Sequence, residues 1–336
     1  MPRKLTVNLI ARDNGLGLSR DLRLLSNALK ANGCDVHVTP LDEQHERRRW
    51  ALGGRSWRSA WRRLRLRLRK TTPRFDINIM FEHLWPDYFA LAPCNIALPN
   101  PEWFDEKDRL HLDRIDRAWV KTHHAEPLLN QLGCSTTWIG FASEDCRDAA
   151  IVRQKAFFHL AGGSRTKGTA RLVSLWREHP EWPTLTVACH AGMLTTAESA
   201  ANVRILTDYL SQDQLRQLQN AHAFHLCLSE TEGYGHYICE AMSVGAIAIS
   251  TDAAPMNELV DDTRGLLVAA TAFGKQGLAT LYQFDSAAME QAVAKAIHMD
   301  DQQIETLGTQ ARTWFVDNDK HFSERVGNAL REWAAS

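Results

Sequence analysis

The chain has 336 residues, 44% of them apolar and 24% charged. That is the balance of a globular protein long enough for two cores, and it excludes a disordered or fibrous chain. No apolar run approaches the ~20 residues that cross a bilayer. The formal net charge of −1 hides an asymmetry: residues 47–70 hold eleven of the 39 basic residues and no acid, leaving 28 basic against 40 acidic residues elsewhere. The opening MPRKLTVNLIARDNG has too short an apolar stretch for a signal peptide, so a cytoplasmic location is expected. The seven cysteines form no Cys-x-x-Cys pair and are expected to be buried, reduced thiols.

In chain order, KLTVNLIA reads as a strand, RDNGLGLSRD as a turn with Gly15 and Gly17, and LRLLSNALKANG as a helix with Leu22, Leu25 and Leu29 on one face and Gly33 as its cap. CDVHVTPL is the next strand. Strand, glycine turn, helix, strand opens a parallel α/β domain. Two glycines fall short of a G-x-G-x-x-G, so they are weak evidence for a dinucleotide.

The basic segment follows. Trp57, Trp61, Leu64 and Leu68 share a helical face, whereas RLRLRLR alternates as a strand would. Either way an apolar edge adjoins a dense cationic one. Three readings stay open: tryptophans packed on the acidic body, a membrane surface or lipid-linked acceptor, or a polyanion such as nucleic acid. FDINIMFEHL, CNIALPNPEWF, RAWVKTHH and STTWIGFASED then repeat one pattern, an apolar run with a polar end. Open parallel sheets bind ligands beyond the carboxyl ends of their strands. His83, Asn100, Glu102, Lys121 and Thr122 all fall there.

A polar linker over 142–156 places a boundary after residue 148. Residues 1–148 form one Rossmann-like domain and 149–336 a second, with the closing helix 323–335 expected to pack back on the first. The second series runs FFHLAGG (strand), KGTARLVSLWREHP (helix), PTLTVACH and NVRILT (strands), SQDQLRQLQNAHA (helix capped by Ser211) and FHLCLS (strand). Two doubly wound α/β domains with a cleft between them are expected.

SETEGYGHYICEAMSVGAIAIS comes next. Glu232 and Glu240 flank Gly233 and Gly235, residues free to take backbone angles that others resist. A helix from about His236 to Val244, ended by Gly245, would aim free N–H groups at the turn, a place for a phosphate. Carboxylates accept hydroxyl hydrogen bonds well. A phosphate flanked by hydroxyl-bearing rings describes a nucleotide sugar.

The stretch LSQDQLRQLQNAHAFHLCLSETEGYGHYICEAMSVGAIAIST resembles the signature region of retaining GT-B glycosyltransferases, close to glycosyltransferase family 4 (the group 1 transferases). APMNELV, with Glu258, and RGLLV resemble that family's donor loop and last strand. The resemblance is strong over about 157–270 and fainter before it. It implies that Glu232 contacts donor sugar hydroxyls, Glu240 holds the ribose, and the backbone of Tyr234, Gly235 and His236 meets the diphosphate. In AGGSRTKGT, after Gly163, Lys167 matches the family's lysine; the usual arginine position holds Gly162, with Arg165 as a substitute. Gly15 and Gly17 match the glycine turn of the acceptor half, His83 its histidine, with Asn100 and Glu102 as further acceptor-side residues.

The family implies a hexosyl- or pentosyltransferase without protein nucleophile, cofactor or metal. The lone D-x-D, Asp317–Asp319, lies in a polar tail. The expected partners are a nucleotide-sugar donor and an acceptor glycan, lipid or other polyanion. Contact with a membrane surface or nucleic acid would run through 47–70, the former making the protein peripheral at the inner membrane face. The rival readings are an inactive transferase fold that binds polyanions or membrane, and an enzyme that epimerises or hydrolyses nucleotide sugars.

Overall fold

A computed structural model describes residues 3–12, 17–41, 57–67, 72–194 and 200–335. Gly15 and the flanks of the basic segment, including Leu68, lie outside the described residues. The chain divides into two compact units. The first comprises 1–141, 276–279 and 320–336, and the second 142–275 and 280–319.

The first unit is a six-stranded sheet. Its elements are β1 (Thr6–Arg12), α1 (Gly17–Ala31), β2 (Asp35–Leu41), α2 (Trp57–Arg67), β3 (Ile77–Glu82), β4 (Cys94–Pro99), α3 (Glu106–Arg109), β5 (Arg117–Val120), α4 (Ala125–Asn130) and β6 (Thr136–Trp138). The strands lie in the order β2-β1-β3-β4-β5-β6, every pair parallel. β3 and β4 are buried along almost their whole length, so they read as continuous apolar runs, as strands covered on both faces do. The core gathers Ile10, Met80, Trp85, Phe89, Phe104 and Val120.

Through this core runs a polar ladder. Thr39 Oγ1 donates to Asn8 Oδ1 at 2.7 Å, and Asn8 Nδ2 to Asn78 Oδ1 at 3.1 Å. Asn78 Nδ2 then donates to Asn95 Oδ1 and the Tyr88 carbonyl, both at 2.9 Å. Asn8 pairs in register with Asn78, and Asn78 with Asn95. The parallel pleat therefore stacks three amides side by side across adjacent strands.

Between the two readings of the basic segment, the helix holds: α2 is helical, not a strand. Trp57, Trp61 and Leu64 lie on its exposed face, at 78%, 53% and 47% exposure, and among its described side chains Ser59 is buried. Trp57 and Trp61 are thus largely exposed rather than buried against the protein. No helix among the described residues is long and apolar enough to cross a membrane.

The second unit holds β7 (Gln154–Gly162), α5 (Thr169–Glu178), β8 (Leu185–Cys189), β9 (Val203–Leu206), α6 (Gln212–Ala221), β10 (His222–Cys227), α7 (His236–Ser243), β11 (Ile247–Asp252), α8 (Met256–Leu259), β12 (Gly265–Gln276), β13 (Ala279–Phe284) and α9 (Ser286–His298). A 35-residue helix α10 (Asp301–Ala335) closes the chain, its last residues belonging to the first unit. The sheet order is β13-β12-β11-β10-β7-β8-β9. Ser211 caps α6 as expected: it accepts from the Gln214 amide while Gln214 reaches back to the Ser211 amide. Phe157 stacks on Phe224 and meets Trp176 edge-on at the centre of the core. β12 runs well beyond the expected GLLVA and turns through Gly277 and Leu278 into β13, a strand the sequence pattern did not suggest.

All seven cysteines are buried thiols, none of them in a disulfide. Burial pushes the thiols of Cys94 and Cys239 up to about 12 and that of Cys227 further still.

Candidate active site

In the second unit the chain winds outward from β7 through β8 to β9, then returns to place β10 on the other side of β7. The strand order reverses between β7 and β10, and a ligand crevice opens beyond their carboxyl ends. Two loops rise there, 163–168 after β7 and 228–235 after β10. They touch closely. Glu230 N donates to the Thr166 carbonyl at 2.8 Å, and a Cβ on Gly168 would lie 2.8 Å from the Leu228 carbonyl oxygen. Gly168 has φ +66°, so both its conformation and its surroundings require glycine.

This approach brings together Lys167 and Glu232. Lys167 Nζ donates to Glu232 Oε1 at 2.6 Å, with side chains 14% and 17% exposed. Ser229 Oγ donates to the same oxygen at 2.5 Å. Tyr237 lies beneath, its ring centroid 3.2 Å from Lys167 Nζ and its hydroxyl 2.6 Å from Ser229 Oγ. A cation and an acid, both open to solvent on one side, are thus held in one mouth at the switch point.

α7 begins beside them. Gly235 has φ +107°, and a Cβ there would sit 2.8 Å from Leu259 Cδ1. Of the two glycines in the motif, Gly235 is the one in the left-handed region; Gly233 is not. The first α7 amides bonded back within the helix are Ile238 and Cys239, both to the Gly235 carbonyl. The amides before them present the partial positive charge that draws an anion. The Tyr234 ring is buried and its hydroxyl accepts from Asn318 Nδ2 at 3.1 Å. His236 Nδ1 lies 2.8 Å from Ser143 Oγ.

Glu240 is 4% exposed and accepts from Gln219 Nε2 at 3.0 Å. It lies within the body of the unit rather than out in the turn with Glu232. Gly163 packs against His190, where a Cβ would come within 2.8 Å of Nδ1. Beside it a cavity of about 410 Å³ opens at the ends of β7, β8 and β9, lined by Gly162, His190, Leu206, Thr207 and Tyr209. Arg165 is exposed. Glu258 is half-buried in the single turn of α8.

Beneath the β7 loop, His159 is fully buried. Its Nδ1 donates to the Leu226 carbonyl at 2.7 Å, which leaves Nε2 to accept from Thr169 Oγ1 at 2.9 Å. Burial lowers its pKa to about 4, so it is neutral.

The first unit reverses its strand order between β1 and β3. At that point Glu82 has φ +64°, a left-handed non-glycine residue. Burial raises its carboxyl above the ordinary range, against the pull of His83 and Lys121. His83 Nδ1 lies 3.0 Å from Asp108 Oδ2, and Asp108 is completely buried. Lys121, also buried, is paired with Asp21 and donates to Asn100 Oδ1 at 2.9 Å. Asn100 thus orients a lysine, and Glu102 sits half-buried two residues on.

His83, Asp105 and Asp108 bring one ligand atom each within 4.8 Å of one another. Their oxygens already serve the fold. Asp108 accepts from the Leu84 and Asp105 amides, and Asp105 from those of Lys107 and Asp108. Sequence reasoning did not single out Asp108, Asp21, Gln219, Ser229 or Tyr237. The last two lie within the quoted motif and could have been found there; the first three are distant partners with no local signal.

No protein-family model matches the chain. A 91-residue stretch, 27% of the chain, is 35% identical to the GDP-mannose:cellobiosyl-diphosphopolyprenol alpha-mannosyltransferase of Xanthomonas oryzae pv. oryzae and spans about a fifth (21%) of that protein's length. A glycosyltransferase from Rickettsia africae superimposes over 98% of both chains with a TM-score of 0.70 at 11% identity. HepE of Anabaena, in complex with UDP and glucose, does so over 98% of this chain and 99% of its own, with a TM-score of 0.63 at 13% identity. The fold is GT-B. In GT-B terms the seven-stranded unit is the C-terminal domain, and the Lys167–Glu232 pair stands at its switch point.

Proposed function

We propose that the chain is a glycosyltransferase that moves a hexosyl or pentosyl group from a nucleotide sugar to an acceptor hydroxyl. The observation that carries this reading is the Lys167–Glu232 pair beside the start of α7. A lysine and a helix N-terminus suit a diphosphate, and an adjacent carboxylate suits sugar hydroxyls. The mannosyltransferase named above uses a nucleotide sugar, and HepE binds UDP and glucose; both support the reading.

The chemistry follows from charge. As the bond between the anomeric carbon and the phosphate oxygen breaks, negative charge gathers on the leaving diphosphate. Lys167 exchanges Glu232 for that phosphate, and the α7 amides take up the rest. Donors that bind developing charge better than the ground state lower the barrier, each by ~3 kcal/mol. Glu232, released from the lysine, holds the sugar hydroxyls. Glu240 holds the ribose, and the cavity by His190 takes the base. The acceptor oxygen bonds to the anomeric carbon and its proton passes to the departing diphosphate, which gives retention without a protein nucleophile or metal. His83, held by Asp108, is proposed to meet the acceptor.

For the acceptor we favour a lipid-linked glycan at an anionic membrane surface. The exposed Trp57, Trp61 and Leu64 among the arginines of α2 support it, as does the diphosphopolyprenol acceptor in the relative's name. An inactive fold that binds polyanions, or one acting on nucleic acid, uses the same cations but leaves the Lys167–Glu232 pair without a task.

The test is a thermal-shift screen of UDP, GDP, ADP and TDP and their common sugars, with Lys167→Ala alongside. One nucleotide is expected to raise the wild-type melting temperature and to lose most of that effect in the variant. The anomeric configuration of the product, read by NMR, and activity in EDTA decide retention and the metal. No response to any nucleotide overturns the reading.

A further inference from the structure

Glu232 Oε1 receives two donors, Lys167 Nζ at 2.6 Å and Ser229 Oγ at 2.5 Å. A serine hydroxyl has one proton, and here it goes to the carboxylate. In the 2.6 Å contact between Ser229 Oγ and Tyr237 the phenol is therefore the donor. The phenol oxygen in turn accepts from the Ser229 amide at 3.1 Å. A chain of hydrogen bonds runs from Tyr237 through Ser229 to Glu232. The face of the same ring carries the Lys167 ammonium, 3.2 Å from its centroid. Tyr237 is buried in the first turn of α7, so its placement follows from the helix that opens the anion site. Burial holds its hydroxyl well above the usual phenol range, so it remains a donor.

We infer that Tyr237 is the positioning residue of the donor site: its ring seats Lys167, and its hydroxyl, through Ser229, aims Glu232. This rests on the donor-site reading above and deepens it. The two roles sit on different parts of one side chain, so they separate. Tyr237→Phe keeps the ring and removes the hydroxyl. Tyr237→Leu removes both. Ser229→Ala breaks the relay from its other end while leaving the ring intact.

The experiment compares the wild type, these three variants and the double variant Tyr237→Phe/Ser229→Ala. Calorimetry follows binding of UDP and GDP, and release of the nucleoside diphosphate from UDP-glucose and GDP-mannose gives kcat and KM. Tyr237→Phe should bind the free diphosphate within about twofold of the wild type, because Lys167 keeps its seat. Its kcat should fall up to about tenfold, the upper end of what a lost hydrogen bond between neutral groups costs. Ser229→Ala should match it, and the double variant should be no slower than either single, since all break one relay. Tyr237→Leu should weaken diphosphate binding about tenfold, the scale of a desolvated cation–π contact.

A purely structural tyrosine would lower the melting temperature in every variant without this split. Wild-type kcat in Tyr237→Phe, or single effects that multiply in the double variant, overturns the inference. A wild type that binds no nucleoside diphosphate overturns the donor-site reading instead. The seat is then judged on the same proteins by NMR of ¹³C-methylated lysines. The Lys167 signal should be displaced upfield by the ring in the wild type and in Tyr237→Phe, and should return to the ordinary position in Tyr237→Leu. An undisplaced wild-type signal removes the seat, and the inference with it.

Discussion

Asn78 donates its side-chain amide to the side-chain oxygen of Asn95 at 2.9 Å, in the interior of a sheet where both are buried. The contact is one step in the ladder Thr39–Asn8–Asn78–Asn95, which ties four adjacent strands. A buried polar network is stable only while every member is satisfied. Asn78→Leu should therefore be worse than a loss of three hydrogen bonds, since it strands Asn8 Nδ2, Asn95 Oδ1 and the Tyr88 carbonyl together. The expected cost is about 3 kcal/mol, read as a lower urea midpoint at unchanged slope. A loss below about 1 kcal/mol would mean that the ladder contributes little.

Buried histidines make stability depend on pH. Burial lowers His111 and His159 to about 4 and His225 to about 3, and lowers His222 as well. The ordinary value is 6.5. As pH falls below that value the unfolded chain takes protons that the folded chain refuses, so stability falls with pH. Each histidine contributes ~1.4 kcal/mol per pH unit until its folded pKa is reached. Calorimetry at intervals from pH 7 to pH 5 should show the melting temperature dropping steadily, above the range where carboxylates titrate. His225→Gln should flatten that slope. A melting temperature constant over this range contradicts the burial of these groups as neutral imidazoles.

The exposed face of α2 predicts lipid binding. Reversing Arg58, Arg62 and Arg65 to glutamate should weaken binding to phosphatidylglycerol vesicles at least tenfold, given about 1 kcal/mol per basic residue at an anionic surface. Release of diphosphate from the donor should be unaffected. Flotation of both proteins with vesicles, and a parallel titration with single-stranded DNA, separates the alternatives. Binding to DNA but not to vesicles would move the acceptor reading to nucleic acid.

Glu240 and Gln219 pair inside the second unit at 3.0 Å. Glu240→Ala should erase the melting-temperature rise given by the nucleotide that the wild type binds. It should also lower the unliganded melting temperature by several degrees, because the Gln219 amide loses its carboxylate. Glu240→Gln should keep much of the second property and little of the first. Nucleotide binding unchanged in Glu240→Ala would leave the carboxylate a purely internal role.

Both sheets were legible because their strands and helices carry local patterns: apolar runs closed by glycine turns, and a Ser211 cap that formed as read. What escaped has no local signature. Asn78 looks like an interruption in FDINIMFEHL, and only strands 17 and 70 residues away in the chain make it a link in a ladder. Asp108 and Asp21 orient His83 and Lys121 from 25 and 100 residues away. The β12–β13 hairpin was missed because its apolar run continues far beyond GLLVA before it turns. In the site, the resemblance to known transferases suggested Lys167 and Glu232, which are 65 residues apart. Spacing in the sequence would not have paired them. Tyr237 was in plain view within the quoted motif, but its two contacts depend on the loop after β7.

The seven buried thiols, two of them held near 12 and one beyond, have a practical meaning. Iodoacetamide needs an accessible thiolate, so the native chain resists alkylation and each label acquired counts an opening event. A cysteine introduced in place of Trp57 would stand out against that silent background, a ready point for attaching a fluorophore that reports whether the arginine-rich helix meets a lipid surface.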